Sequence, residues 1–374
     1  MSGRCFLTGI RVLDLSQYLP GPYAGQILAD LGAEVVKVEP PAGDPLRQVP
    51  PLDGDGLSAF YKLVNAGKTV VRLDLKAAAG KAAFLGLVDR ADALIESFRP
   101  GALARLGLDA GALRARNPRL VHCALSGYGQ SGPAALKAGH DINYMALAGG
   151  LARSGTAERP VGAHPPTADF ASGMQAALTV LAALLGRTRS GRGATIDTSI
   201  SETVLAWQSL ALTAAGRPGG EAARGQGRLS GGAACYRIYE TADRRFITLG
   251  ALEAKFWANF CRALGREDWV ARQSEALPQT GLIAEVAEAI AARPLAAWQA
   301  LLGDVDCCYQ AVLEPTEVPD DPQVRARGLL RAYPGPDPRI EVAFPALIDG
   351  APPAPRAPFQ ERDAEYLLAA WKGK

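Results

Sequence analysis

The chain predicts an α/β fold: a Rossmann-like large domain on a doubly wound parallel sheet, plus a small α+β domain. Three observations carry this. Strand-type and helix-type runs alternate over the first 200 residues, as in repeated βαβ units. A stretch at 216–232 with seven glycines then interrupts the alternation. Apolar residues make up 48% of the 374 and charged ones 21%, which allows real cores and excludes bulk disorder.

Taken in order, Ile10-Arg-Val-Leu-Asp-Leu15 alternates apolar and polar residues as a strand does, and Pro20-Gly-Pro22 breaks it. Pro22 suits the first turn of a helix, where its missing N–H costs nothing. That helix, 23–31, carries Ile27, Leu28 and Leu31 on one face and stops at Gly32. Residues 34–39 form a second strand and complete a βαβ unit, which implies a right-handed crossover. The order repeats as strand 70–75, helix 78–89, strand 93–97, helix 101–116 and strand 120–125. A strongly apolar helix at about 170–185 precedes a basic turn at 187–193, a strand at 194–199 and a helix at 202–214. Beyond the linker, 234–240 and 245–249 read as a hairpin about Ala242-Asp-Arg244, followed by helices at 255–264, 282–292 and 294–302. A second linker lies at 314–322, a proline-rich extended stretch at 333–358 and an amphipathic helix at 362–371. The expected domains are therefore 1–200 for the first part of the large domain and 201–232 for a helix and linker. The small domain takes 233–314, and 315–374 returns to the large domain.

Composition removes several function classes. Forty Lys and Arg against 38 Asp and Glu leave a net charge of +2, without the positive surplus that nucleic-acid binding needs. Six cysteines form no Cys-x-x-Cys pair, and adjacent Cys307 and Cys308 are too close for an ordinary disulfide. Reduced thiols in a cytoplasmic protein are the expectation. The three histidines, His122, His140 and His164, have no zinc-site spacing, so no metal is expected. No apolar run of signal-peptide type opens the chain, and no stretch is expected to span a membrane.

Motifs for common cofactors are missing. Gly21-Pro-Tyr-Ala-Gly25 stands where a dinucleotide site would carry Gly-x-Gly-x-x-Gly, with the wrong spacing. Glu39 then reads as an ordinary strand-end charge. Neither a Walker lysine nor a Gly-x-Ser-x-Gly elbow occurs. The most unusual local sequence is Gly139-His-Asp-Ile-Asn-Tyr144, after the strand 120–125 and a Gly/Pro loop. It is either a surface turn whose histidine caps a helix or part of a ligand site beyond the strand ends. Asp169, just before the apolar helix, is either that helix's N-cap or a base or nucleophile beside backbone N–H groups. Glu253, in Gly250-Ala-Leu-Glu253, closes the hairpin and opens the next helix.

Several segments together resemble the family III CoA-transferase superfamily. These are Gly9-Ile-Arg-Val-Leu-Asp-Leu-Ser-Gln-Tyr-Leu-Pro-Gly-Pro22, Ala29-Asp-Leu-Gly-Ala-Glu-Val-Val-Lys-Val-Glu39, Leu73-Asp-Leu-Lys76, Phe98-Arg-Pro-Gly101, Asn117-Pro-Arg-Leu120 and Ser126-Gly-Tyr-Gly-Gln130. The resemblance runs from Leu7 to about Leu330. It implies an interlocked homodimer in which the small domain hangs on two linkers. The α-methylacyl-CoA racemase branch is the most similar, because it carries the hexapeptide now at 139–144 and a Gly-Ala-Ile-Glu matching 250–253. It implies His140 and Asp169, 29 residues apart, as the two catalytic acid/base groups. The partner subunit's Glu253 would orient His140. It also implies an acyl-CoA substrate, with contacts from Leu73, Asp74, Leu75, Lys76, Ser97, Phe98, Arg99, Arg105, Gly139, Asp141, Ile142, Asn143 and Tyr144. No further cofactor is implied, since CoA enters with the substrate. Some racemases have an arginine where this chain has Pro40, and Lys37 or Arg47 would replace its phosphate contact. The runner-up is CoA transfer through an Asp169 anhydride.

Overall fold

The structure is a computed structural model that describes residues 6–218, 220, 222–332 and 339–372. In chain order its first half contains β1 (Arg11–Leu15), α1 (Pro20–Asp30), β2 (Glu34–Glu39), α2 (Ala59–Asn65), β3 (Thr69–Arg72), α3 (Ala78–Val88) and β4 (Ala93–Glu96). Then come α4 (Ala102–Arg105), α5 (Ala110–Arg116), β5 (Val121–Ser126), α6 (Asp141–Leu147), α7 (Gly150–Arg153), α8 (Thr167–Ser190), β6 (Thr195–Ser199) and α9 (Ile200–Ala206). The second half adds α10 (Ser209–Ala214), β7 (Tyr236–Glu240), β8 (Phe246–Gly250), α11 (Ala254–Ala263), α12 (Thr280–Ala291), α13 (Leu295–Leu302) and β9 (Tyr309–Ala311). The last elements are α14 (Pro322–Arg327), β10 (Leu330–Ala332), β11 (Ile340–Val342), β12 (Gln360–Glu361) and α15 (Ala364–Lys372).

The described residues divide into two compact units. One comprises Met1–Ala148, His164–Trp207 and Asp321–Lys374; the other comprises Gly149–Ala163 and Gln208–Asp320. Segment 149–163 thus groups with the second unit and not with the first 200 residues.

The first unit is built on a seven-stranded sheet in the order β12-β3-β2-β1-β4-β5-β6, parallel throughout. β1 pairs with β2 on one side and β4 on the other, so the winding reverses there. Crevices for ligands form beyond the carboxyl ends of strands at such a reversal. All five residues of β1 are buried, the polar ones of its alternation included. Helices cover both faces of a doubly wound sheet, so Asp14 is enclosed and needs a partner. On one face Leu13, Val36, Leu94, Phe84, Leu113 and Trp371 share a single core. α15 reaches it from the far end of the sequence, and the Trp371 indole donates to Glu34 at 2.6 Å.

Some elements differ from expectation. The helix expected at 101–116 is broken into α4 and α5, because Gly107 takes a left-handed φ of 64°. The helix at 202–214 is likewise two, α9 and α10, and strand 70–75 is only β3. α2, α7, α14 and the short strands β9 to β12 were not anticipated, whereas α6 is the helix that one reading of the 139–144 segment has His140 cap. Of the extended stretch 333–358, residues 333–338 lie outside the described residues. α8 is 24 residues long and holds an 18-residue window of mean hydropathy 1.4, enough by length and composition alone to cross a membrane. In this fold it packs on α1, α9, β5 and β6.

The second unit has its own core. β7, β8 and β9 form an antiparallel sheet, the first two as the expected hairpin. Trp257, Phe260, Trp269 and Trp298 pack against it with Ile247, Val286 and Ile290. The buried indoles of Trp257 and Trp298 donate to Trp269 and Ile290 carbonyls, which removes the penalty of enclosing them.

Candidate active site

Two adjoining clefts lie at the carboxyl ends of the central strands of the first unit. The larger, about 340 Å³, is lined by Gln17 and Tyr18 after β1, Ser97 to Pro100 after β4, Ser126 and Gly127 after β5, Lys137 to His140, Tyr144 and Asp169. The smaller, about 160 Å³, is lined by Pro40 and Pro41 after β2, Leu73 to Lys76 after β3, Leu106 and Phe98. Phe98 faces both. Positively charged Arg99, Lys137 and Lys76 stand on their walls.

The segment Gly139–Tyr144 starts α6. The His140 N–H donates to the Asn143 side-chain oxygen at 3.0 Å, so His140 is the N-cap residue and Asn143 holds the turn. No side chain among the described residues of this unit binds its imidazole. Tyr144 donates from its hydroxyl to the Gly139 carbonyl at 2.6 Å and meets Tyr128 edge-on at 5.1 Å. Burial, then Asp169 and Tyr128, push the Tyr144 hydroxyl up to about 12, despite Arg99. A Cβ at position 139 would sit 2.7 Å from the Tyr128 hydroxyl and 2.9 Å from the Tyr144 ring, so a larger residue there forces one of those rings to shift.

Asp169 lies in the first turn of α8 and is half-buried. It is not the N-cap; that residue is Pro166. The acceptor for the helix end comes from elsewhere: one Asp141 oxygen takes the Ala168 N–H at 2.6 Å and the Asp169 N–H at 3.1 Å. The Asp169 carboxylate itself accepts no hydrogen bond among the described residues. Burial raises its pKa, Asp141 raises it further and His140 lowers it, leaving it at about 6.

The clefts bring together His140, Asp169, Ser97, Phe98, Arg99, Gly139 and Tyr144 in one, and Leu73, Asp74, Leu75 and Lys76 in the other. Asp141 and Asn143 hold helix ends, while Ile142 is exposed. None of the three lines a cleft, and neither does Arg105, which is exposed on α4. Glu253 belongs to the second unit, exposed at the start of α11 beside Cys308. The phosphate role considered for Lys37 or Arg47 is corrected. Lys37 is fully buried against Asp44 at 2.9 Å, and Arg47 is held by Glu39, Tyr61 and Glu361. Gln17, Tyr18 and Lys137 were missed. The first two were findable as residues following β1 at the reversal of strand order; Tyr18 even takes a left-handed φ of 62°. Lys137 carried no sequence signal. Among the described residues no three His, Cys, Asp or Glu side chains come together in a metal-binding group.

An alpha-methylacyl-CoA racemase of Homo sapiens is 36% identical over 330 residues, covering 86% of this chain and 81% of the relative. A succinate–glutarate CoA-transferase of Agrobacterium fabrum is 37% identical over 270 residues, covering 69% and 66%. The crystal structure of a CaiB/BaiF family protein from Brucella suis matches with a TM-score of 0.83 and 26% identity, covering 97% of this chain and 98% of that one. Relatives with racemase names and relatives with CoA-transferase names are thus both similar to this chain in sequence. CoA-transferase family III matches residues 7–359, and the chain belongs to that family.

Proposed function

We propose that the protein is an α-methylacyl-CoA racemase, acting as an interlocked homodimer on 2-methylacyl-CoA thioesters. One observation carries the reading: His140 and Asp169 line the same cleft, with the Asp169 carboxyl held at about 6. A carboxyl poised there gives or takes a proton near neutral pH, as an acid/base catalyst must. The thioester carbonyl makes the α-proton removable. One group takes that proton, and the C–H electron pair moves into the enolate. The other group then returns a proton to the opposite face, so each group serves one enantiomer as base and the other as acid. CoA enters as part of the substrate and no cofactor takes part. Its adenine and phosphate end would run toward the smaller cleft, along Leu73 to Lys76. With no side chain of the described residues of its own unit bound to it, the His140 ring leaves room for the partner subunit's Glu253, which would fix its tautomer and raise its basicity.

The test is α-proton exchange and inversion of 2-methylacyl-CoA thioesters in deuterium oxide. Replacing His140 or Asp169 with Ala should abolish inversion and lower the rate by about 10²–10⁴. A drop below about tenfold would remove that residue from the mechanism. A second reading is favoured by the CoA-transferase names among the relatives and by the unbonded Asp169 carboxylate. There Asp169 would attack the thioester carbonyl, expel CoA thiolate and form an anhydride. Acyl-CoA with hydroxylamine should inactivate a transferase by trapping Asp169 and leave a racemase untouched.

A further inference from the structure

We infer that Asp141 is a positioning residue for the candidate acid/base pair: its carboxylate, borne next to His140, holds the first turn of α8 and so fixes Asp169 relative to His140. The inference rests on the racemase reading for its consequence, and on hydrogen bonds for its geometry. α6 and α8 are separate helices joined through a long loop and through α7, which belongs to the other unit. No backbone ladder couples their starts. The direct tie is Asp141, which is 28 residues from Asp169 and accepts from both Ala168 and Asp169 N–H groups. The first turn of any helix leaves such N–H groups unpaired, and a carboxylate there also meets the positive end of the helix. Asp141 therefore performs for α8 the capping that Pro166 cannot, while its chain neighbour His140 caps α6.

The same placement has an electrostatic consequence. A second carboxylate beside Asp169 opposes its ionisation. Other ionisable groups stand on the elements packed against α8: Tyr23 and Asp30 on α1, Tyr144 on α6, Glu202 on α9, His122 on β5 and Asp197 on β6. On Asp169, beyond burial, Asp141 and His140 act in opposite directions, while Asp169 in turn raises the Tyr144 hydroxyl. Asp141 thus serves twice, once as an acceptor and once as a charge.

Asp141→Asn separates the two, because its amide oxygen still accepts while the charge is gone. Asp141→Ala removes both. Asp169 is titrated directly by infrared difference spectroscopy against Asp169→Asn, and the pH profile of α-proton exchange is recorded alongside. In Asp141→Asn the Asp169 midpoint should fall by about one unit, and the acid limb of the exchange profile should move down with it. Thermal stability should stay near that of the parent protein. Asp141→Ala should in addition lose melting temperature and rate. An unmoved Asp169 midpoint in Asp141→Asn overturns the charge role, and an unmoved melting temperature and rate in Asp141→Ala overturn the positioning role. Should the parent protein exchange no α-proton, the racemase reading falls, while the spectroscopic titration still decides the part played by Asp141.

Discussion

At the carboxyl-end region of one sheet the chain carries two groups of ionisable side chains that are treated in opposite ways. Within the fold, Asp14 of central strand β1 and Lys68 pair at 2.9 Å, both fully buried. Lys37 pairs with Asp44, and Arg47 bonds Glu39 while the Tyr61 hydroxyl donates to the same carboxylate. Every one of these charges is matched. In the cleft beside them, His140, Asp169, Arg99 and Lys137 have no ion-pair partner among the described residues. Burying a charge without a partner is expensive, so the matched set can be enclosed and the unmatched set must stay open to solvent or substrate. The difference separates side chains that hold the strands together from those free to meet a ligand.

The largest effect that could break this comparison lies in the matched set. Lys68→Met strands Asp14 in the core and should cost about 3–5 kcal/mol of stability, read by urea unfolding at pH 7. Burial works to raise the Asp14 carboxyl, but Lys68 and Lys37 outweigh it and hold it at about 2, below its ordinary 3.8. A lowered carboxyl contributes stability that is complete above 3.8 and is lost as pH falls through about 2. The gap between Lys68→Met and the parent should accordingly narrow over that window. A loss under about 1 kcal/mol at neutral pH would show that the pair is not structural.

Local order was readable and distant pairing was not. Pro22, Gly32 and the run 34–39 announce a βαβ unit because turn chemistry and periodicity act between close neighbours. Asp14 and Lys68 are 54 residues apart, and nothing local in either strand foretells the pair. The same holds for Asp169. Its position before an apolar run suggested a cap, yet Asp141 supplies the cap from another helix and leaves Asp169 free. Lys37 and Arg47 looked available for phosphate because sequence shows charge but not enclosure. The broken helix at Gly107 was missed for a different reason, since a glycine within a helical pattern is tolerated as often as it terminates one.

A middle-sized effect sharpens the border between the two sets. Gly139 lies where Tyr128 and Tyr144 close over the backbone, so Gly139→Ala forces a Cβ into contacts of 2.7 and 2.9 Å. The displacement falls on the turn that carries His140. Destabilisation of about 1–3 kcal/mol is expected, with a loss of exchange rate larger than the fall in melting temperature alone explains. An unchanged rate would mean that the turn need not be held for the cleft to work.

The smallest effect tests which cations remain for a CoA phosphate once the buried ones are committed. Pro40 lines the smaller cleft, and of the cations considered to compensate for it, Arg47 is tied to Glu39, Tyr61 and Glu361. Lys76, exposed on the same wall, is a cation with no ion-pair partner among the described residues. Lys76→Ala should raise KM for an acyl-CoA a few-fold, on the order of 1 kcal/mol, with the penalty larger at low salt than at high. Arg47→Ala should lower stability, because it leaves buried Glu39 without its cation. The opposite pattern, a raised KM in Arg47→Ala at unchanged stability and no salt dependence at Lys76, would return the phosphate contact to the buried set. The division between matched and open charges would then fail at the one place where it assigns a ligand.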